Sequence, residues 1–117
     1  METLNAIITG ANRGIGKALV NNFAKAGYNI WACARKKTAG FEEMLTVLAE
    51  DNGIWIKPIY FDLSDSEAVA SGIQLILDDK MSVDVLVNNA GISNVGLCRK
   101  ICSIYLLLKG NNEVLCL

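Results

Sequence analysis

A glycine-rich turn, Thr9-Gly10-Ala11-Asn12-Arg13-Gly14-Ile15-Gly16, joins a short apolar run to an amphipathic one near the start of the chain. Glycine suits a backbone that must turn tightly and leave no Cβ where another group approaches. Between a strand and a helix, such a turn also presents free N–H groups and the positive end of the helix dipole, which together can hold a phosphate. The spacing is G-x-x-x-G-x-G, not the G-x-G-x-x-G of the general dinucleotide fingerprint. Alone the turn is a weak signal, because similar turns serve packing; its surroundings decide.

Those surroundings alternate between strands and helices up to about residue 92. Leu4 to Thr9 is a short apolar run that stops at a glycine, as a buried strand does. Ile15, Ala18, Leu19, Asn22, Phe23 and Ala26 recur at helical spacing, with Lys17, Asn21 and Lys25 opposite, and Gly27 ends the helix. Asn29 to Ala34 is a second strand with the polar exit Arg35-Lys36-Lys37. Phe41, Met44, Leu45, Leu48 and Ala49 form a second helical stripe, closed at Asn52-Gly53. Ile54 to Phe61 is a third strand, and Ser64-x-x-Glu67 reads as a capping box for a third helix with Val69, Ile73, Ile76 and Leu77 inward. Val83 to Val87 is the fourth strand, running into Asn88-Asn89-Ala90-Gly91. This βαβαβαβ order predicts an α/β fold, a parallel sheet with helices on both faces. In the doubly wound order 3-2-1-4 the third strand lies at the edge, where Pro58 and its missing N–H cost least.

Thr9 with the G-x-x-x-G-x-G turn, together with Asn88-Asn89-Ala90-Gly91 after the fourth strand, resembles the short-chain dehydrogenase/reductase family, in particular its 3-oxoacyl-acyl-carrier-protein reductase-like members. The resemblance covers residues 1 to about 92 and implies a partial Rossmann-type sheet. It also implies that Gly10, Asn12, Arg13, Gly14, Ile15 and Gly16 line a dinucleotide's pyrophosphate and adenosine ribose. Asp62, in Phe61-Asp62-Leu63, matches the acid that bonds the adenine amino group, with Leu63 beside it. A plainer reading makes Asp62 a helix-entry residue favoured by the dipole. Asn88, Ala90 and Gly91 match the stretch that supports the central sheet and borders the cofactor ribose.

Cofactor choice follows from the end of the second strand. An acid there would accept from the ribose 2′-OH and repel a 2′-phosphate. This chain has Arg35, Lys36 and Lys37 instead, and Arg13 in the turn can reach the same phosphate. A guanidinium matches phosphate geometry in a bidentate way. The expectation is NADP(H) over NAD(H), the alternative for these cations being a solvated strand exit.

Composition removes other classes. The chain has no histidine, which excludes Ser-His and Cys-His nucleophile pairs and the HExxH zinc site. A formal charge of -1 gives no electrostatic reason to bind nucleic acid or an anionic membrane. The opening lacks a basic leader, and no apolar run is long enough to span a bilayer, so a cytoplasmic location with four reduced cysteines is expected. No metal site is expected.

Residues 93 to 117 do not continue the pattern and read as a non-family tail, helical along Leu97, Ile101, Ile104, Tyr105 and Leu108. Relatives implied by the resemblance are about twice as long and carry a Ser and a Tyr-x-x-x-Lys pair in the part beyond. Tyr105 to Lys109 spells Tyr-x-x-x-Lys, with Ser93 twelve positions before the tyrosine. The tyrosine nevertheless follows Gly91 too closely to fit another strand and helix between them. No catalytic residue is assigned. The expected protein is the NADP(H)-binding part of an oxidoreductase for a carbonyl/alcohol pair, truncated and inactive as it stands. A nucleotide-binding module without catalysis and a nonfunctional gene fragment are the alternatives. The fourth strand is expected to form an open edge prone to self-association, unless the tail covers it.

Overall fold

A computed structural model describes residues 3–62, 64–87 and 115–116. The element order is β1 (Asn5–Ile8), α1 (Gly14–Lys25), β2 (Asn29–Ala34), α2 (Ala39–Asn52), β3 (Ile56–Tyr60), α3 (Ser66–Asp78), β4 (Val85–Val87) and β5 (Leu115–Cys116). The sheet runs β3-β2-β1-β4-β5, and every pairing is parallel. The expected order 3-2-1-4 is therefore present, with Pro58 in edge strand β3 opposite Ala32.

Both faces of the sheet are covered, so the strands alternate between two apolar layers. Ala6, Ile8, Ile30, Ala32, Ala34, Val85 and Val87 point to one face, against Val20 and Ala24 of α1 and Phe41 and Leu45 of α2. Ile7, Trp31, Cys33, Ile59 and Leu86 point to the other, against Val69, Ile73 and Ile76 of α3. Strands buried on both sides read as continuous apolar runs, as parallel strands do.

Three local readings change. The buried stripe of α1 is Gly16, Val20 and Ala24, with Leu19 and Phe23 partly buried, whereas Ile15, Ala18, Asn22 and Ala26 are exposed. The stripe is rotated by about one position, which puts small residues where the helix meets the sheet. The cap of α3 is Asp65, whose carboxylate accepts from the N–H groups of Glu67 and Ala68, and not Ser64. Leu115–Cys116 lies beside β4, Val85 opposite Leu115 and Leu86 opposite Cys116, so part of the edge expected to be open carries a fifth strand. The 27 residues between β4 and β5 exceed the dozen or so that a parallel crossover needs. The helix expected along Leu97 to Leu108 lies outside the described residues.

Three contacts brace the layer that holds α3. Trp31 is fully buried, and its indole N–H donates to Asp79 Oδ2 at 2.8 Å, while Lys57 Nζ sits 3.1 Å from Asp79 Oδ1. A buried indole N–H needs such a partner. Trp55 meets Trp31 edge to face at 4.9 Å. Nearer the site, a Cβ at Gly72 would fall 2.5 Å from Phe61 Cδ1, so only glycine lets α3 close on the residue that precedes Asp62.

Candidate functional site

The exits of β1, β2 and β3 gather at one end of the sheet. From β1 the chain moves outward to β2 and β3, then crosses back to β4 on the other side of β1. That reversal falls between β1 and β4, and doubly wound sheets bind ligands outside the carboxyl ends of the strands at such a point. Thr9 ties the two strand ends together: its N–H and its hydroxyl both donate to Val87 O, at 3.0 and 3.3 Å. The N–H of Ala11 donates to Cys33 O at 3.0 Å and anchors the turn over β2.

Gly10 and Gly14 have φ of 61° and 59°, the left-handed region that glycine enters without strain. The space where a Cβ of Gly14 would stand is open to 4 Å. Arg13 occupies the N-cap of α1 in extended conformation with no side-chain cap bond, and the first turn holds no acid. The N–H groups of that turn are thus offered outward, with no carboxylate to compete. Asn12, Arg13 and Ile15 are exposed around it, Ile15 at 71%, while Gly16 is buried toward the sheet. These residues fit the phosphates of a dinucleotide: free donors, a cation, and a cradle that a side chain would fill.

The second half of the site is ionic. Arg35, exposed at the end of β2, places Nε 3.5 Å from Asp62 Oδ2, beyond the end of β3. The other carboxylate oxygen, Oδ1, accepts from the Ser64 N–H at 2.9 Å and from the Ser64 hydroxyl at 2.8 Å. These two bonds, and then the Arg35 charge, hold the Asp62 carboxyl below its ordinary range. The N–H of Phe61 donates to Ala34 O at 3.1 Å and fixes the two strand exits side by side. Lys36 and Lys37 are also exposed, and Lys37 Nζ lies 3.9 Å from Glu42 Oε1.

The structure thus brings the turn residues to one end of the sheet with Arg35 and Asp62. Leu63, Asn88, Ala90 and Gly91 lie outside the described residues, as do Ser93, Tyr105 and Lys109. Sequence reasoning missed that Asp62 is Arg35's partner, and that Ser64 turns to Asp62 instead of capping α3. It also missed a groove of about 400 Å³ between α1 and α2, lined by Gly14, Lys17, Ala18, Asn21, Met44, Val47 and Leu48. Cys33 is buried, its thiol pushed up to about 12 by loss of solvent, which suits a small core residue and not a nucleophile. Among the described residues no group of three or more Cys, Asp or Glu could hold a metal, and no helix is long and apolar enough to cross a membrane.

Comparison with known proteins agrees with this architecture. A family model described as short chain dehydrogenase matches residues 4–103, eleven residues past the boundary expected at Ile92. An acetoacetyl-CoA reductase of Rhizobium meliloti is 36% identical over 96 residues, covering 81% of this chain and 37% of that protein. A 3-oxoacyl-(acyl-carrier-protein) reductase of Staphylococcus aureus is 34% identical over 98 residues, covering 81% and 38%. The chain therefore spans well under half the length of these relatives. Among solved structures, L-sorbose reductase from Gluconobacter frateurii, complexed with NADPH and L-sorbose, superposes with a TM-score of 0.73 at 24% identity, covering 91% of this chain and 46% of that one. That likeness is one of fold.

Proposed function

The chain belongs to the short chain dehydrogenase family, and on that footing we propose that it is the NADP(H)-binding part of an oxidoreductase acting on a carbonyl/alcohol pair. The observation that carries this reading is the pairing of an uncapped, acid-free helix start with a cationic strand exit at the same end of the sheet. The cofactor, when bound, supplies the hydride.

The residues of this chain have binding and orienting roles. The N–H groups of the turn from Gly10 to Gly16 hold the pyrophosphate, and the missing Cβ of Gly14 lets it approach. Arg35 and Arg13 take the 2′-phosphate, for which an acid at the end of β2 would be repulsive. Asp62 accepts from the adenine amino group, and Ile15 covers the adenosine side with apolar surface. Asn88, Ala90 and Gly91, next in sequence after β4, support the central sheet and border the cofactor ribose. The names of the two reductase relatives specify acyl-chain ketones, and this supports a 3-oxoacyl group as the substrate class of the whole enzyme. By itself the chain binds cofactor without reducing ketones, because Tyr105 and Lys109 follow β4 too closely for the family's arrangement.

Calorimetric titration of the 117-residue chain with NADP⁺ and NAD⁺ tests the reading. Tighter binding of NADP⁺ is expected. Equal affinities would remove the 2′-phosphate assignment, and binding of neither would remove the function.

A further inference from the structure

We infer that Ser64 is a positioning residue for Asp62, locking one carboxylate oxygen so that the other alone faces Arg35 and the dinucleotide. This rests on the NADP(H) reading above and deepens it.

A carboxylate has two oxygens and about four lone-pair sites to share. Ser64 takes one oxygen with both of its donors, N–H at 2.9 Å and hydroxyl at 2.8 Å. The main chain is held too, since Asp65 N–H donates to Asp62 O at 3.0 Å. The Ser64 hydroxyl is free for this because Asp65 caps α3. Arg35 approaches only the remaining oxygen, at 3.5 Å, with 71% of its side chain and 40% of that of Asp62 exposed. An ion pair so open to water is weak and cannot by itself orient the acid. The serine therefore sets the carboxylate, and the arginine visits it.

This division has a consequence for the ligand. When Arg35 turns to a 2′-phosphate, it exchanges one anion for another. Asp62 does not follow, because Oδ1 stays bonded to Ser64. The oxygen that Arg35 leaves becomes the acceptor for the adenine amino group. The same two residues thus serve different ends of the adenosine in the bound chain and each other in the free one.

Ser64→Ala and Ser64→Thr separate the roles, since threonine keeps the hydroxyl. In the free chain, the Asp62 carboxyl followed by NMR titration should move back toward the ordinary carboxylate range in Ser64→Ala. It should stay low in Ser64→Thr and move less in Arg35→Gln. NADP⁺ affinity should fall roughly fivefold in Ser64→Ala, the value of one ordinary hydrogen bond, and be restored in Ser64→Thr. An Asp62 titration unmoved by Ser64→Ala, or moved more by Arg35→Gln, would overturn the inference; so would unchanged affinity in Ser64→Ala. A wild-type chain that binds neither dinucleotide refutes the proposed function, and the carboxyl titration then still decides whether Ser64 sets Asp62.

Discussion

Arg35 Nε lies 3.5 Å from Asp62 Oδ2, so the cation that ends β2 rests against the acid that follows β3. The two residues proposed for opposite ends of an adenosine 2′-phosphate are each other's partners in the free chain. Replacing Arg35 therefore does two things at once. Arg35→Asp removes a charge-assisted contact to the 2′-phosphate and sets a second carboxylate beside Asp62. Arg35→Gln removes only the charge. Both should weaken NADP⁺ by about 1–3 kcal/mol, and NAD⁺ much less in Arg35→Gln. The ratio of the two affinities by calorimetry is the measurement. A ratio unchanged in both variants rejects the 2′-phosphate assignment.

Gly14 has φ of 59° and open space where a Cβ would stand. Gly14→Ala meets no steric wall, so its cost to folding is the left-handed backbone alone, about 1–2 kcal/mol. Its cost to dinucleotide binding should be larger, tenfold or so beyond the stability effect, because the methyl group points into the space reserved for phosphate. Urea unfolding and NADP⁺ titration of the same variant separate the two. Binding intact in a folded Gly14→Ala chain would move the phosphate elsewhere.

The sheet was readable in the sequence because strands buried on both faces leave unbroken apolar runs, as residues 30–34 of β2 do, and because Pro58 marks an edge. The turn was readable because glycines at Gly10 and Gly14 answer a backbone demand that no other residue meets as cheaply. What escaped depends on contacts distant in sequence or on near-equal local choices. Arg35 and Asp62 are 27 positions apart, and no local pattern pairs them. Ser64 and Asp65 are both good helix caps; which one caps α3 was decided by the alternative partner that Asp62 offers Ser64. The α1 stripe was misplaced because alanines and Ile15 score as apolar whichever way they face. The short β5 has no signal of its own beyond a few apolar residues.

Asp79 links stability to acid. Its carboxyl is held below its ordinary range, first by the Trp31 indole N–H and then by Lys57. A depressed folded value means that the carboxylate stabilises the fold above the unfolded pKa, near 4. That contribution is lost as pH falls through the lower folded value. Asp79→Asn keeps an acceptor for Trp31 and cannot titrate, so it should flatten the acid limb of stability. Asp79→Ala leaves the buried indole unpaired and should cost about 1–3 kcal/mol near neutral pH. Urea melts followed by tryptophan emission from pH 2 to 7 report both. An acid limb unchanged in Asp79→Asn would assign it to other carboxylates.

Tyr105 and Lys109 repeat the spacing of a proton-donating tyrosine and its lysine, but Tyr105 comes only fourteen positions after Gly91. With NADPH and a panel of ketones, including a 3-oxoacyl thioester, the chain should show no oxidation above background. Turnover that disappears in Tyr105→Phe would make the short-spaced pair a working site.

The pairing of Leu115–Cys116 with Val85 and Leu86 changes what is expected of the polypeptide in solution. Without it, β4 would present unpaired N–H and C=O groups along an apolar strand, a template for a second chain. β4 itself carries no charge, proline or bulge to deter such pairing, and Asp84 lies just before it, its carboxylate taken by the Asn5 N–H at 2.8 Å. Two residues of β5 cover two of the three β4 positions, a short seal but one that occupies the ladder. Removing residues 115–117 should therefore raise self-association at equal concentration, seen by size-exclusion chromatography with light scattering. It should also lower the thermal midpoint, since β4 loses its outer neighbour. A chain of 1–114 that stays as monomeric and as stable as 1–117 would show that β5 seals nothing, and that the β4 edge is kept from pairing by some other part of the chain.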